Sequence, residues 1–126
     1  MKEPVWISKT VVLALQDELI SEFGGLPGLR DEGLLEAALA RPQQHFSYSD
    51  PDLCAMAAVY VSAIIRNHPF LDGNKRVGFV VGAIFLERNG KSFNPTEAEA
   101  VQAVRDLAAS KITEEEFAIW IEGNCE

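Results

Sequence analysis

Apolar residues recur at three- and four-residue spacing along most of the chain, and short clusters of glycine and proline separate the stretches that carry this period. The first stretch starts at Ser8, a good N-cap, and runs to about Phe23 with Val12, Leu15, Leu19 and Ile20 on one face. Gly24-Gly25 ends it, and Leu26-Pro27-Gly28 reads as a turn. Asp31 caps a short second helix with Leu34, Leu35, Ala38 and Leu39 facing inward, and Pro42 is expected to stop it. Residues 43–49, QQHFSYS, have no helical period and read as a polar-aromatic connection. Asp50-Pro51 is a start signal for a third helix, which carries Leu53, Ala57, Tyr60, Val61, Ile64 and Ile65. Pro69 forces its end near His68. A fourth helix is expected from around Gly73 to Arg88, closed by Asn89-Gly90. It is apolar on nearly every side and so is expected to be the central, buried one. Thr96 with Glu99, and Thr113 with Glu116, form capping boxes. They open a fifth helix to about Ser110 and a sixth that carries Phe117, Trp120 and Ile121. Two-residue alternation is missing over any strand length; 91–93 and 43–49 could pair briefly at most. The pattern predicts an all-α domain over 1–126, about six helices around a central buried helix.

Composition narrows the function classes. An apolar content of 48% in 126 residues supports a packed core and excludes a disordered chain. Eleven Lys and Arg against nineteen Asp and Glu give a net charge of −8. Such a surface repels nucleic acid, so a nuclease or repressor would need a local basic patch, and no direct nucleic-acid partner is expected. Cys54 and Cys125 lie far apart in sequence, without metal-ligand spacing; Cys54 reads as a buried thiol, and two cysteines are too few for a disulfide framework. The first residues lack the apolar stretch of a signal peptide. The longest apolar run, 77–86, is ten residues with two glycines, about half of what a bilayer requires. The expectation is a cytoplasmic protein without a membrane partner.

Chemistry concentrates in residues 66–76, RNHPFLDGNKR, a tight loop feeding the start of the fourth helix. The first N–H groups of a helix lack partners, and its dipole is positive there. Gly73 allows close backbone approach, and Lys75 and Arg76 add positive charge in an acidic protein. Together they describe an anion site, most simply for phosphate. Asp72 stands at its mouth, where a carboxylate beside phosphates suits Mg²⁺. His68 titrates near neutrality when unperturbed and suits a general base. Turn and cap statistics account for each residue singly but not for their conjunction.

HPFLDGNKR at 68–76 resembles the Fic motif, H-P-F-x-[D/E]-G-N-G-R-x-x-R, in the variant with lysine in the eighth place that marks the Doc (death-on-curing) branch. GLPGLRDEGLL at 25–35 and the Asn89-Gly90 helix end resemble the same branch, so the likeness runs over roughly residues 8–120. The resemblance implies the all-α Fic fold with a short flap connection. It makes His68 the base that deprotonates the attacking hydroxyl, Phe70 the aromatic anchor and Asp72 the Mg²⁺ ligand. It makes Gly73 and Asn74 the anion-binding turn, Arg76 the phosphate-binding arginine, and Arg66 a further phosphate contact. Phe46 and Tyr48 fall by location in the flap, which in the family holds a target segment by strand addition. His45 there reads as an ordinary exposed histidine.

Lys75 in the eighth place and Phe79 in the twelfth depart from the members that transfer AMP. Residues 77–80, VGFV, also replace polar residues that often follow the motif in the Doc branch. The resemblance therefore implies a toxin that transfers the terminal phosphoryl group of ATP, or another nucleoside triphosphate, with Mg²⁺ to a Ser or Thr of a target protein. Translation elongation factor Tu is the family's associated target, and a Phd-type antitoxin the companion. AMP transfer is the alternative enzyme reading, and a catalytically silent Fic-fold binding module the alternative from another class.

Overall fold

The computed structural model describes residues 2–126. Six helices follow in chain order: α1 (Lys9–Phe23), α2 (Glu32–Ser49), α3 (Leu53–Asn67), α4 (Asn74–Arg88), α5 (Glu97–Ala108) and α6 (Glu114–Gly123). Among the described residues there is no strand, only two isolated bridges, Leu29 with Phe70 and Phe93 with Cys125. Residues 91–93 thus pair with the chain's last residues rather than with 43–49. Among the described residues no helix is long and apolar enough to cross a membrane.

The caps read from the sequence form as local hydrogen bonds. Ser8 accepts from the Val11 N–H and Asp31 from the Leu34 N–H, and both capping boxes, Thr96 with Glu99 and Thr113 with Glu116, close reciprocally. Gly24 ends α1 with its N–H on the Ile20 carbonyl.

The central helix is α3, not α4. Residues 56–64 are buried without a break, and α2, α4, α5 and α6 all pack against α3. In contrast, α4 keeps Lys75 and Arg76 exposed and Phe79 only half-buried, because one of its faces borders a cleft. Two glycines in the apolar run of α4 let it lie close on α3. A Cβ at Gly78 would stand 3.2 Å from the Val61 carbonyl, and one at Gly82 only 2.6 Å from Val61 Cγ2.

Pro42 does not stop α2, and 43–49 is helix rather than a flap. Proline removes one N–H from the helical ladder, a loss that packing offsets here. Pro42 is buried, Phe46 sets its ring edge-on to Trp6 at 5.8 Å, and Trp6 stacks on Phe85 at 6.0 Å. The α3 start shifts accordingly. Asp50 is the left-handed C-cap of α2, and Asp52, not Asp50, caps α3 by accepting from the Ala55 N–H at 2.8 Å.

Candidate active site

His68 ends α3 in the left-handed conformation, φ 49°, with its N–H on the Ile64 carbonyl. A non-glycine residue holds this conformation only where its surroundings enforce it. The enforcing group is Arg30, whose Nε donates to the His68 carbonyl at 2.7 Å and whose Nη2 donates to the Asn67 carbonyl at 2.9 Å. The N–H groups of Arg30 and Asp31 both donate to the Pro69 carbonyl, and Leu71 N–H donates to the Gly28 carbonyl. The 25–31 segment is therefore a clamp on the loop. Phe70, wholly buried, plugs the loop into the core.

Asn74 is 4% exposed and spends its side chain inside the loop. Its Oδ1 accepts from the Phe70 N–H at 3.0 Å, and its Nδ2 donates to the Phe70 carbonyl at 3.0 Å and to His68 Nδ1 at 3.1 Å. The two bonds to Phe70 fix the amide's orientation, so Nδ2 is the donor toward the ring. A neutral His68 then carries its proton on Nε2. To accept a proton at Nε2, the ring must adopt the Nδ1-protonated tautomer and give up the Asn74 bond. What Asn74 still offers an anion is its backbone N–H. Gly73 precedes it at φ 77°, and no side chain caps α4, so the first turn's N–H groups stay open to an incoming acceptor.

Lys75 and Arg76 extend from that first turn, both exposed. A cation at a helix N-terminus opposes the dipole and costs about 0.3–1 kcal/mol. Fold stability does not explain two of them. Arg76 is steadied by the Phe23 ring, with its guanidinium carbon 4.0 Å from the ring centroid. Both residues, with His68, Gly73 and Asn74, line a cleft of about 890 Å³ between α4 and α5. The rest of the lining is mostly apolar, with Phe79, Phe93, Val101 and Val104, and carries Thr96 and Glu97 at the start of α5. Its shape suits a ligand with one anionic and one flat apolar part.

The remaining residues singled out from the sequence lie elsewhere. Asp72 does not line the cleft: its Oδ2 accepts from the Leu26 N–H at 2.8 Å, and its carbonyl accepts from Gln16 Nε2 at 3.3 Å. Nothing among the described residues donates to Oδ1, and one carboxylate oxygen is what a Mg²⁺ arriving on phosphates would ask of a protein. Among the described residues no three His, Cys, Asp or Glu converge as a metal site. Arg66, exposed on the last turn of α3, also stands outside the cleft lining. Phe46 and Tyr48 ride on α2 near the start of α3, while His68 is at its other end, about 20 Å along a helix of 15 residues. Phe46 is a packing residue against Trp6, and Tyr48 is exposed beside His45.

Sequence reasoning missed three contributors: Gln16, Phe23 and Arg105. Gln16, buried at 2%, accepts from the Gly28 N–H and donates to the carbonyls of Leu26 and Asp72, tying the clamp to the loop. A glutamine four residues after Val12 on an apolar stripe was the available signal. Arg105 of α5 lines the same cleft as Lys75, a placement no local pattern encodes.

The family model described as Fic/DOC family matches residues 6–86. The chain is 42% identical over 85 residues to "Protein kinase doc" of Escherichia phage P1, covering 67% of this chain and 68% of that protein. It is 44% identical over 70 residues to "Toxin Doc" of Mycolicibacterium smegmatis (strain ATCC 700084 / mc(2)155), covering 54% of each, so it spans about half of that relative's length. The chain belongs to the Fic/DOC family, and its all-helical architecture is that expected from the motif.

Proposed function

We propose that this protein is a Doc-type toxin that transfers a phosphoryl group from a nucleoside triphosphate to a Ser or Thr hydroxyl of a target protein. The observation that carries the reading is the α4 N-terminal turn, where open N–H groups, Lys75 and Arg76 share one cleft with His68. The relatives named as a protein kinase and a toxin support the same direction. ATP fits the cleft's two ends, with its base against Phe79 and Phe93 and its phosphates at the helix start.

In the transfer the target oxygen bonds to the terminal phosphorus, the bond from that phosphorus to the bridging oxygen breaks, and the nucleoside diphosphate leaves. His68 takes the hydroxyl proton at Nε2 after the tautomer exchange described above. The turn's N–H groups and Arg76 hold the phosphoryl oxygens as charge redistributes. Asp72 would hold Mg²⁺, which when bound supplies charge neutralisation between phosphates. The target is proposed to be a translation factor such as elongation factor Tu, and restraint is proposed to come from a Phd-type antitoxin.

Incubation with a cell extract and ATP labelled separately on the terminal and the α-phosphate tests the chemistry. Label from the terminal position, with a phosphate-sized mass increase on the target, is expected. An AMP-sized increase would replace this reading with AMP transfer, and no adduct from folded protein would favour a binding module.

A further inference from the structure

A second cavity of about 560 Å³ adjoins the cleft, and the two share Lys75 and Arg105 as a common wall. Lys111 and Asp106 complete its charged lining. Three cations and one carboxylate thus meet in a chain whose net charge is −8. The carboxylate is already engaged, since Asp106 Oδ1 accepts from Gln102 Nε2 at 2.9 Å. Among the described residues none of the three cations has an ion-pair partner, whereas Lys9 and Arg41 do.

The backbone places Lys111 deliberately. Ser110 turns left-handed at φ 59°, and the Lys111 N–H donates to the Asp106 carbonyl at 2.8 Å, folding the chain back over the last turn of α5 beside Arg105. Cations at the C-terminal end of α5 also complement its dipole, which accounts for Arg105 and Lys111 as stabilising residues. That explanation fails for Lys75, which reaches the same cavity from the N-terminal end of α4, where the dipole opposes it. A shared anionic ligand accounts for all three.

We propose that Lys75, Arg105 and Lys111 form a polyphosphate site that receives the phosphate chain of a nucleoside triphosphate behind the terminal phosphate held at the α4 turn. The assignment rests on the reading that the cleft binds a nucleoside triphosphate. Asp72, the carboxylate next to the anion turn, lies outside the cleft wall, Asp106 is engaged by Gln102, and Glu97 is the one acidic residue lining the cleft, against three cations there, so side-chain cations meet much of the polyphosphate charge. Basin and cleft open into each other at Lys75 and Arg105, and this continuity selects a ligand that spans both over a separate acidic peptide.

The test measures binding of ATP, AMP and inorganic tripolyphosphate by calorimetry, with EDTA and with Mg²⁺. The variants are Arg105→Gln and Lys111→Gln, both at exposed positions, with Arg88→Gln on the last turn of α4 as a charge control. Arg105→Gln is expected to weaken ATP and tripolyphosphate about tenfold, and Lys111→Gln by somewhat less, with a larger loss in EDTA. AMP binding and the Arg88→Gln protein should change less than twofold. Unchanged ATP affinity in both variants would overturn the site while leaving the cleft reading intact. So would intact ATP affinity with a raised KM for the protein target, which would assign the cations to an acidic target segment. Failure of the wild-type protein to bind ATP at all would overturn both.

Discussion

Asn74 illustrates how one side chain couples stability to chemistry. Its amide joins the two ends of the 68–74 loop, and removing it leaves the Phe70 N–H and carbonyl buried without partners. Asn74→Ala is therefore expected to lower stability by about 2–4 kcal/mol, read by urea denaturation. The same amide dictates that resting His68 is protonated on Nε2. With two histidines in the chain, ¹⁵N–¹H correlation spectra assigned through a His45→Gln variant should show that tautomer for His68 in the ligand-free protein. A Nδ1–H signature would mean the amide does not donate to the ring. His68 itself is exposed and outside the helices. His68→Ala should keep its melting temperature within a few degrees while abolishing transfer and growth arrest; a fully active, folded variant would remove the acid–base assignment.

At the scale of elements, the contact between α3 and α4 depends on the absence of side chains. Alanine in place of a helical glycine normally gains about 1 kcal/mol of helix propensity. At Gly82 the added Cβ would meet Val61 Cγ2 at 2.6 Å and stand 3.3 Å from the Ala57 carbonyl, so the helices must move apart. Overpacking outweighs propensity, and Gly82→Ala is expected to destabilise by about 1–3 kcal/mol. Because α4 carries the anion turn at its start, the same change should weaken nucleotide binding at a distance. An unaltered or raised melting temperature would show that α3 and α4 yield freely. The second element-scale lesson is α2. It continues through Pro42 because Phe46 and Trp6 reward continuation, and neither partner is near the other in sequence.

Over the whole molecule, the fold brings the thiols of Cys54 and Cys125 together although 71 positions separate them. Burial, with the neighbouring Cys125 thiol adding to it, pushes the Cys54 thiol up to about 12. Cys54 should therefore resist iodoacetamide at pH 8, while half-buried Cys125 reacts, as peptide mapping would reveal. The raised value has a thermodynamic consequence. In the unfolded chain the thiol ionises near its ordinary value of 9.0, while the folded protein retains the proton to about 12. Stability from this group is thus intact below pH 9 and declines as pH rises from 9 toward 12. Cys54→Ala should flatten the alkaline limb of the stability profile; an unchanged limb would place the cause in other groups.

Local rules were enough to define what is local. Ser8, Asp31, Thr96 and Thr113 cap helices through bonds that reach three residues, Gly24 ends α1 through glycine's freedom to take positive φ, and Pro69 ends α3 through the restriction it places on the residue before it. The 66–76 loop was legible for the same reason: Gly73, Lys75, Arg76 and His68 are close in sequence and stay close in space. Their clamp was visible only as a resemblance at 25–35, since hydrogen bonds from Arg30 to residues 67 and 68 span the chain's long-range order. Tertiary structure alone decided that α3 is central, that 43–49 remains helix, that the Asn74 amide turns inward, and that Arg105 lines the same cleft as Lys75. Each of these outcomes is set by which surface a segment buries and against what. That free energy comes from partners tens of residues away, beyond the reach of capping, propensity or period.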